Sequence, residues 1–406
     1  MLKYKFVMAL AMASGGALPA QAAIYQATAA NLVSIFNTAQ GGDTIVVSGS
    51  IGSVALQGRS FLSTVTIDAT LASFSDTVTI KDVSRLKVIG GTFGSLTQDT
   101  RAGRAVAIYR GRNITFSKSS FIGNGTGVGL STSGTTNVLV ASSIFKGMKT
   151  GIGIGSSSRV KLNSNRFNAM TSDGINIADS HFVTASGNRC SGTVASENAH
   201  PDCIQLWSVF GNPVQSDIAL LRNNVHGATQ GLTSFNSQDG GGLRISMIGN
   251  TINTSYPQGI ACYECSDSTF TDNFLTTLPG SRWRTEMRIV GGTNNIIANN
   301  LIGERVPVME GVDVATLGGF DFADAYEAVP DFFVEDMAME DFVPGGRFVD
   351  DFGFEAGAGL RAGDFGSAGA AVPEPGVWAQ LLAGFGLTGL LVRRRTSRQT
   401  RRLSPA

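Results

Sequence analysis

The sequence predicts an all-β fold, a single-stranded right-handed parallel β-helix, and two observations support this prediction. A polar turn closed by one apolar residue recurs along the chain in steps of 22 to 35 residues. Between these turns lie short alternating runs such as Gly151-Ile152-Gly153-Ile154, whose period of two is typical of strands. Strands this short bury a core only when one rung stacks on the next. The recurring closing residues are Phe93, Phe121, Phe145, Phe167, Cys190, Val225, Ile252, Phe274 and Leu301.

A β-sandwich is the alternative fold, but it needs hairpin turns and does not predict this recurrence. Composition agrees with the β-helix, because 51 of the 406 residues are glycine and only 15% are charged. We expect the solenoid to occupy residues 23–302.

Residues 1–22 have the pattern of a secretory signal peptide. Lys3 and Lys5 precede an apolar stretch from Phe6 to Ala17, and Ala20-Gln21-Ala22 supplies small residues for cleavage. Residues 25–39 follow with Leu32, Ile35 and Phe36 at helical spacing. We expect this segment to form a helix that caps the open end of the stack, because an uncapped rung would leave an exposed edge.

The spacing of the recurring closing residues is irregular at one place, the step of 35 residues from Cys190 to Val225. Extra residues leave the rung there, in 191–200 and around 210–216, and long loops on a regular scaffold are where function concentrates. After residue 302 the composition becomes acidic: residues 302–375 carry 3 Lys plus Arg against 16 Asp plus Glu. We interpret 303–371 as a mostly disordered acidic spacer. A small packed cap is the alternative, since its Phe content is high.

The last 35 residues combine three ordered elements. Pro373-Glu374-Pro375 precedes an apolar run over 377–392, long enough for a short membrane span, and Arg393, Arg394 and Arg395 follow at once. This pattern over 372–406 resembles the PEP-CTERM sorting signal of Gram-negative bacteria. The resemblance implies recognition by an exosortase-type membrane enzyme, transient inner-membrane anchoring and delivery to the cell surface or matrix, where exopolysaccharide is made.

The four cysteines are Cys190, Cys203, Cys262 and Cys265. Export permits disulfides. A bridge between Cys190 and Cys203 would close the first extra loop and hold His200 beside Asp202. Cys262 and Cys265 form a single CxxC pair, for which a tight disulfide, two free thiols and a zinc site are the alternatives; zinc would need two more ligands.

A row of polar residues is predicted where the Gly-Ile strands stack. Alignment of the strands on Val128, Ile152, Ile175, Ile204, Leu232, Ile260 and Met287 makes Asp173 and Asp202 neighbours, since rungs lie ~4.8 Å apart. We predict catalytic roles for Asp173, His200, Asp202 and Arg288. The residues predicted to bind substrate are Asn176, Gln205, Trp207, Gln230 and Gln258.

Two stacked carboxyls fit acid–base work on a glycosidic bond, whereas His or Arg beside a neutralised acid fits proton abstraction from a uronic acid, the lyase reaction. The body resembles secreted pectate-lyase-like and polygalacturonase-like β-helix proteins in architecture. It lacks the Asn-Thr-Asp, Asp-Asp and Gly-His-Gly motifs of polygalacturonases. A structural row in a non-catalytic or adhesive matrix protein is the alternative.

The predicted partner is an extracellular polysaccharide. Residues 23–301 carry 20 Lys plus Arg against 15 Asp plus Glu, a mild excess that permits an anionic polymer. The sequence shows no dense basic patch with interleaved aromatics, so nucleic acid is not expected. No cofactor or metal site is predicted, and whether Ca²⁺ binds is left open.

Overall fold

The computed structural model describes residues 22–94, 103–195, 200–209, 211–235, 241–303 and 308–310. Within these ranges the chain winds into a parallel β-helix, because every strand pairs in parallel with the equivalent strand of the next rung. A complete rung contains three strands, which we call first, second and third in chain order. Residues 1–21 of the predicted signal peptide, all of the predicted acidic spacer except 303 and 308–310, and the predicted sorting signal lie outside the described residues.

The first strands form an eleven-stranded sheet among the described residues, which we call sheet 1. Its strands are β3 (Val54–Gln57), β5 (Val78–Lys81), β8 (Arg104–Tyr109), β11 (Val128–Ser133), β14 (Thr150–Gly155), β17 (Ile175–Ala178), β20 (Asp202–Trp207), β23 (Gln230–Ser234), β26 (Gln258–Tyr263), β29 (Glu286–Val290) and β32 (Val308–Glu310).

The second and third strands belong to one larger sheet, because the early strands β2 (Thr44–Ile51) and β4 (Ser60–Phe74) run through both positions. The second strands are β6 (Ser84–Ile89), β9 (Arg112–Ser117), β12 (Thr136–Ala141), β15 (Ser158–Asn163), β18 (His181–Ser186), β21 (Ser216–Leu221), β24 (Leu243–Ile248), β27 (Thr269–Thr271) and β30 (Ile296–Ala298). The third strands are β7 (Thr92–Phe93), β10 (Ser120–Ile122), β13 (Ile144–Lys146), β16 (Arg166–Asn168), β19 (Arg189–Ser191), β22 (Asn224–Gly227), β25 (Thr251–Thr254), β28 (Phe274–Thr277) and β31 (Leu301–Ile302).

The helix predicted over 25–39 is shorter in the structure, and a strand precedes it. Strand β1 covers Ile24–Ala27 and pairs with β2, and helix α1 covers Leu32–Thr38. Leu32 and Phe36 are buried in the core, and Ile35 packs against it. At the other end, β32 pairs with β29 beyond the predicted limit of the ladder at residue 302.

Stacked phenylalanines fill one column of the core. The rings of consecutive rungs lie face to face, with centroids 4.8 Å apart for Phe74 and Phe93 and 4.4 Å apart for Phe121 and Phe145. The column continues through Phe167, at 5.0 Å from Phe145, and then through Cys190 and smaller apolar residues. The predicted closing residues are therefore vertical neighbours as far as Ile252.

The last two closing residues were predicted one position too early. Leu275 and Ile302 occupy the core column, whereas Phe274 is 41% exposed and Leu301 is 57% exposed. Each turn there ends in two adjacent apolar residues, and the alternation of the strand lets only one of them face inward.

A buried asparagine ladder joins the rungs at the turn before the third strands. The side-chain oxygen of each member after the first accepts the backbone N–H of the member one rung earlier, at 2.8 to 3.0 Å. Each amide nitrogen of the four central members also donates to the next side chain and to a carbonyl of the preceding rung, as Asn223 does to Asn250 and Ala185. Its members are Asn165, Asn188, Asn223, Asn250, Asn273 and Asn300.

Asn223→Ala is expected to lower the free energy of unfolding by at least about 3 kcal/mol, because it leaves the N–H of Asn188 and the carbonyl of Ala185 buried and unpaired. The matched control is Asn224→Ala, whose side chain is exposed on the adjacent position of β22. Urea unfolding followed by circular dichroism measures both variants. Equal stability of the two would show that the ladder does not hold the rungs.

Candidate functional site

The predicted polar row lies on the outer side of sheet 1. Parallel pairing sets Asn176 opposite Gln205 and Gln205 opposite Thr233, while Asp202 lies opposite Gln230. The backbone N–H of Asp202 donates to Oδ1 of Asp173 at 3.1 Å, so the two carboxyls belong to neighbouring rungs. The structure therefore brings Asp173, Asn176, Asp202 and Gln205 together.

A break in strand alternation places the carboxyls and the amides on the same side. A Cβ added to Gly174 would lie 2.9 Å from Sγ of Cys190, and Cys203 and Ile204 are both buried in the core. Because two successive residues thus point inward, Asp202 and Gln205 both lie on the outside. Glycine is needed at residue 174, just before β17, because a side chain would collide with Cys190 of the core column.

The same break explains one error in the predicted alignment. Leu130, rather than Val128, lies opposite Ile152, and Val128 lies opposite Thr150. The glycine–apolar pair is the true marker of the register. From Ile152 onward, the predicted alignment of Ile175, Ile204, Leu232, Ile260 and Met287 agrees with the pairing.

One hydrogen-bonded network connects the amide row to the acid pair and the indole. Nδ2 of Asn176 donates to Oδ2 of Asp173 at 3.2 Å and to Oε1 of Gln205 at 2.9 Å. Nε1 of Trp207 donates to Oδ1 of Asn176. The indole is thereby held over the row, which accounts for the burial of Asn176 although it lies on the outer side.

The two carboxyls are almost completely buried, Asp173 at 4% exposure and Asp202 at 1%. Burial raises the pKa of Asp173 to about 6. Burial and then the charge of Asp173 raise the pKa of Asp202 well above its ordinary value, although Thr233 donates to its Oδ1 at 2.6 Å. The pair therefore holds a proton to a higher pH than two solvated aspartates would, and the effect is larger at Asp202 than at Asp173.

Two buried oxygens at this place have no hydrogen-bond partner among the described residues. They are Oδ2 of Asp202 and Oε1 of Gln230, which lie on opposed positions of β20 and β23. Burial of an unpaired acceptor is costly, and a proton on Asp202 reduces that cost by making one of the two a donor. Tyr256 lies nearby, since burial and then the charge of Asp202 raise the pKa of its hydroxyl.

A row of aromatic side chains lies on the same face, two residues beyond the position of Gln205 and Thr233. Leu206, Ser234 and Cys262 are in register on three successive rungs. The residues that follow them are Trp207, Phe235 and Tyr263. Sequence reasoning found only Trp207; aligning the residue three positions after Ile204, Leu232 and Ile260 would have found the other two.

The aromatic row is partly open to solvent. Phe235 is 38% exposed, and its ring centroid lies 5.4 Å from that of Tyr263 at an angle of 45°. On the preceding rungs the same position holds the small residues Gly155 and Ala178. The face therefore changes from a flat, small-residue floor to an aromatic surface at β20, the rung that follows the extra loop.

Arg288 and Gln258, both predicted members of the site, lie on later rungs than the acid pair. Arg288 is in register with Ala261, which is in register with Thr233, so it lies two rungs and ~10 Å beyond Thr233. Gln258 lies opposite Glu286, one rung beyond Gln230. His200 is partly exposed and stands two residues before Asp202.

Two disulfides lie at the two ends of the aromatic row along the solenoid axis. Cys190 of the core column is joined to Cys203, with Cα atoms 5.7 Å apart, and this bridge fastens the start of β20 to the third strand before it. Cys262 is joined to Cys265 across the turn after β26. The two bridges bracket the aromatic row along the axis.

Metal ligands and membrane spans are not evident in the part of the chain that the structure describes. Within it, no group of three or more His, Cys, Asp or Glu side chains is arranged to hold a metal ion. No helix among the described residues has the length and apolar character needed to cross a bilayer. The predicted span over 377–392 lies outside them.

Comparisons with known proteins bear on the fold. Residues 54–208 match the family described as the right handed beta helix region. The predicted right-handed parallel β-helix is thus confirmed. No curated protein sequence gives a significant match to the chain.

Solved structures share this architecture at low sequence identity. The alginate lyase from Paenibacillus sp. str. FPU-7 is 15% identical, with a TM-score of 0.50 over 72% of this chain and 99% of that one. PfbA, a surface adhesin of Streptococcus pneumoniae, is 12% identical, with a TM-score of 0.44 over 70% of this chain and 89% of that one. The A-module of the Azotobacter vinelandii mannuronan C-5 epimerase AlgE6 is 14% identical, with a TM-score of 0.40 over 70% and 93%.

Asp202→Asn is expected to raise the melting temperature at pH 8 and to change it less at pH 5. The folded state keeps protons on this pair to a higher pH than the unfolded chain, so stability falls as pH rises from 3.8 through about 6 and beyond. The amide removes this loss while Oδ1 still accepts from Thr233. Thermal unfolding across pH measures the effect.

The control for this experiment is Asp217→Asn. Although burial opposes it, the hydrogen bond from Arg244, at 2.6 Å, leaves the pKa of Asp217 lowered. Its stabilisation is present above the unfolded pKa, so the amide should lower stability at pH 8. A decrease at pH 8 for both variants would contradict the raised pKa of Asp202.

Proposed function

We propose that the outer face of sheet 1 binds an extracellular polysaccharide. The aromatic row offers flat apolar surface to the apolar faces of sugar rings, and the adjoining amides offer donors and acceptors to their hydroxyls. A concave or flat apolar surface with a few placed polar groups is the usual composition of a ligand site. Both components occur on the same rungs of the solenoid.

The observation that carries this proposal is the exposed ring of Phe235 beside Tyr263 and in line with Trp207. Large aromatics left partly open on one continuous face mark interaction surfaces, since their removal from water is favourable. The row runs along the solenoid axis, one aromatic per rung. A polysaccharide chain lying lengthwise would therefore meet successive rings with successive sugars.

Fold-level analogy adds a weaker argument. The alginate lyase from Paenibacillus has the same architecture, and parallel β-helices present long regular faces suited to polymers. Fold alone does not give function, so the analogy supports a carbohydrate ligand only in combination with the side chains on the face.

The proposal includes export and surface sorting. The signal-like residues 1–22 and the PEP-CTERM-like residues 372–406 support secretion from a Gram-negative cell, processing by an exosortase-type enzyme and residence among extracellular polysaccharide. A non-catalytic matrix or adhesive protein meets this description as well as an enzyme does. Cell fractionation of the full chain and of Glu374→Gln tests the sorting, with retention of the variant in the inner membrane as the supporting result.

Cleavage of the bound polymer is a second candidate function, favoured by the raised pKa values of the acid pair. Because the pKa of Asp202 is raised further than that of Asp173, Asp202 would serve as the general acid and Asp173 as the general base. Either a glycoside hydrolase or a polysaccharide lyase reaction fits these two roles. Both groups are buried, so cleavage requires the side chains that cover them to move when the polymer binds.

Replacing Phe235 and Tyr263 by Ala is expected to weaken polysaccharide binding at least about tenfold, which corresponds to about 1.4 kcal/mol. A glycan array followed by titration of the positive glycans measures the loss. The matched control is Phe182→Ala, a 44% exposed aromatic on the second strand β18. Full binding by the double variant, or an equal loss in the control, would contradict the proposal.

Asp173→Asn distinguishes binding from cleavage. If the pair is catalytic, the variant should still bind the glycan but lose at least about a hundredfold in product formation, as for removal of a general base. Reducing ends and the absorbance of unsaturated uronates measure the two reactions. A polymer that the wild-type protein binds but does not convert would leave binding as the function of this face.

A further inference from the structure

A band of basic side chains runs along the solenoid at and just before the third strands. Arg166 and Arg189 occupy the first position of β16 and β19, Lys146 the last position of β13, and Lys118 and Arg222 the turn before β10 and β22. We call this band the basic strip; each of five successive rungs contributes one exposed cation to it. The first and last lie at turns with positive φ, Lys118 at 57° and Arg222 at 51°. Its members are Lys118, Lys146, Arg166, Arg189 and Arg222.

The sequence around Lys118, Lys146 and Arg166 contains no acidic residue. Residues 100–172 contain 10 Lys plus Arg and no Asp or Glu. The described third strands from β10 to β25 carry no acidic residue at all. The mild basic excess of the whole body therefore conceals one strongly basic side.

The arrangement is unfavourable for folding by itself. Arg166 lies directly opposite Arg189 in the parallel pairing of β16 with β19. Like charges on opposed positions destabilise a sheet, and rungs are only ~4.8 Å apart. Ile144, in register with Arg166 on the preceding rung, is also left 46% exposed. A surface that is costly to the fold and open to solvent is better explained by a ligand than by stability.

The spacing indicates the shape of the ligand. One cation per rung over five rungs makes a band about 19 Å long and, because the cations spread over five successive positions of the rung, about 13 Å wide. Such a band suits an extended polyanion, because each rung can neutralise one repeating negative group, whereas a compact anion would use only one or two of these cations. The described third strands β10 to β22 present no exposed Trp, Tyr or Phe, which argues against stacked nucleic-acid bases.

We propose that the basic strip is a second binding surface, independent of sheet 1, and that its ligand is an anionic polysaccharide such as a polyuronate. The chain would thus hold one polymer on its aromatic face and an acidic polymer on its basic side. This inference does not depend on what the sheet 1 face binds. It assigns to Arg166 and Arg189 a role in binding the acidic polymer that no sequence motif indicated.

The test measures binding of the full chain to polygalacturonate and to neutral dextran at low and high salt. Wild-type protein should bind polygalacturonate at low salt, lose that binding as salt screens the charges, and not bind dextran through this surface. Arg166→Glu with Arg189→Glu should weaken binding at least about tenfold, or about 1.4 kcal/mol. Arg282→Glu with Arg284→Glu, an equal charge change at two exposed residues of another loop, should bind nearly as wild type.

Two further measurements keep the test decisive. Arg166→Glu alone should fold with an equal or higher melting temperature, since it removes the repulsion from Arg189, so that loss of binding is not loss of fold. The Phe235→Ala, Tyr263→Ala variant should keep polygalacturonate binding. The proposal is overturned by absence of wild-type binding, by unchanged binding after reversal of Arg166 and Arg189, or by tighter binding of oligothymidine than of polygalacturonate.

Discussion

The vertical register between rungs is the constraint on which the whole structure depends. Parallel backbone pairing provides most of it, and the buried asparagine ladder fixes it at one corner, because each amide is bonded to the rung before and the rung after. Once the register is set, residues about two dozen positions apart become neighbours. The acid pair, the aromatic row and the basic strip are all products of that single relation.

The fold could be predicted from the sequence because certain positions of each rung accept only a few residue types. Asn at the ladder, Phe in the core column and Gly before the inward apolar residue each have a physical reason to recur. The prediction failed where that reason did not discriminate. Phe274 and Leu275 are equally apolar, and only the parity of the strand decides that Leu275 enters the core.

The site was partly predictable for a similar reason. Asp173 and Asp202 are polar residues at one place in the repeat, so stacking alone made them neighbours. The change of direction at Gly174 and Cys203 could not be read from alternation, and it is this change that puts the acids on the same side as Asn176 and Gln205. Phe235 and Tyr263 were missed because nothing local distinguishes them from core aromatics.

The basic strip illustrates the opposite case, in which a chain-wide average hides a surface. Its cations are separated by 20 or more residues, so no short motif marks them, and the sequence does not show that they meet on one side. In a solenoid, residues at similar positions of successive rungs lie on the same side, and these five cations are therefore close together. Protonation of Asp202, in contrast, depends on burial by neighbouring rungs and is visible only in three dimensions.

A crystal structure of the protein with a bound oligosaccharide tests the central claim most directly. The account predicts a sugar chain parallel to the solenoid axis, with rings packed on Trp207, Phe235 and Tyr263 and hydroxyls bonded to the Gln205 and Thr233 side of the face. A sugar chain that runs along the strands, perpendicular to the axis, or that occupies neither sheet 1 nor the basic strip, would contradict it.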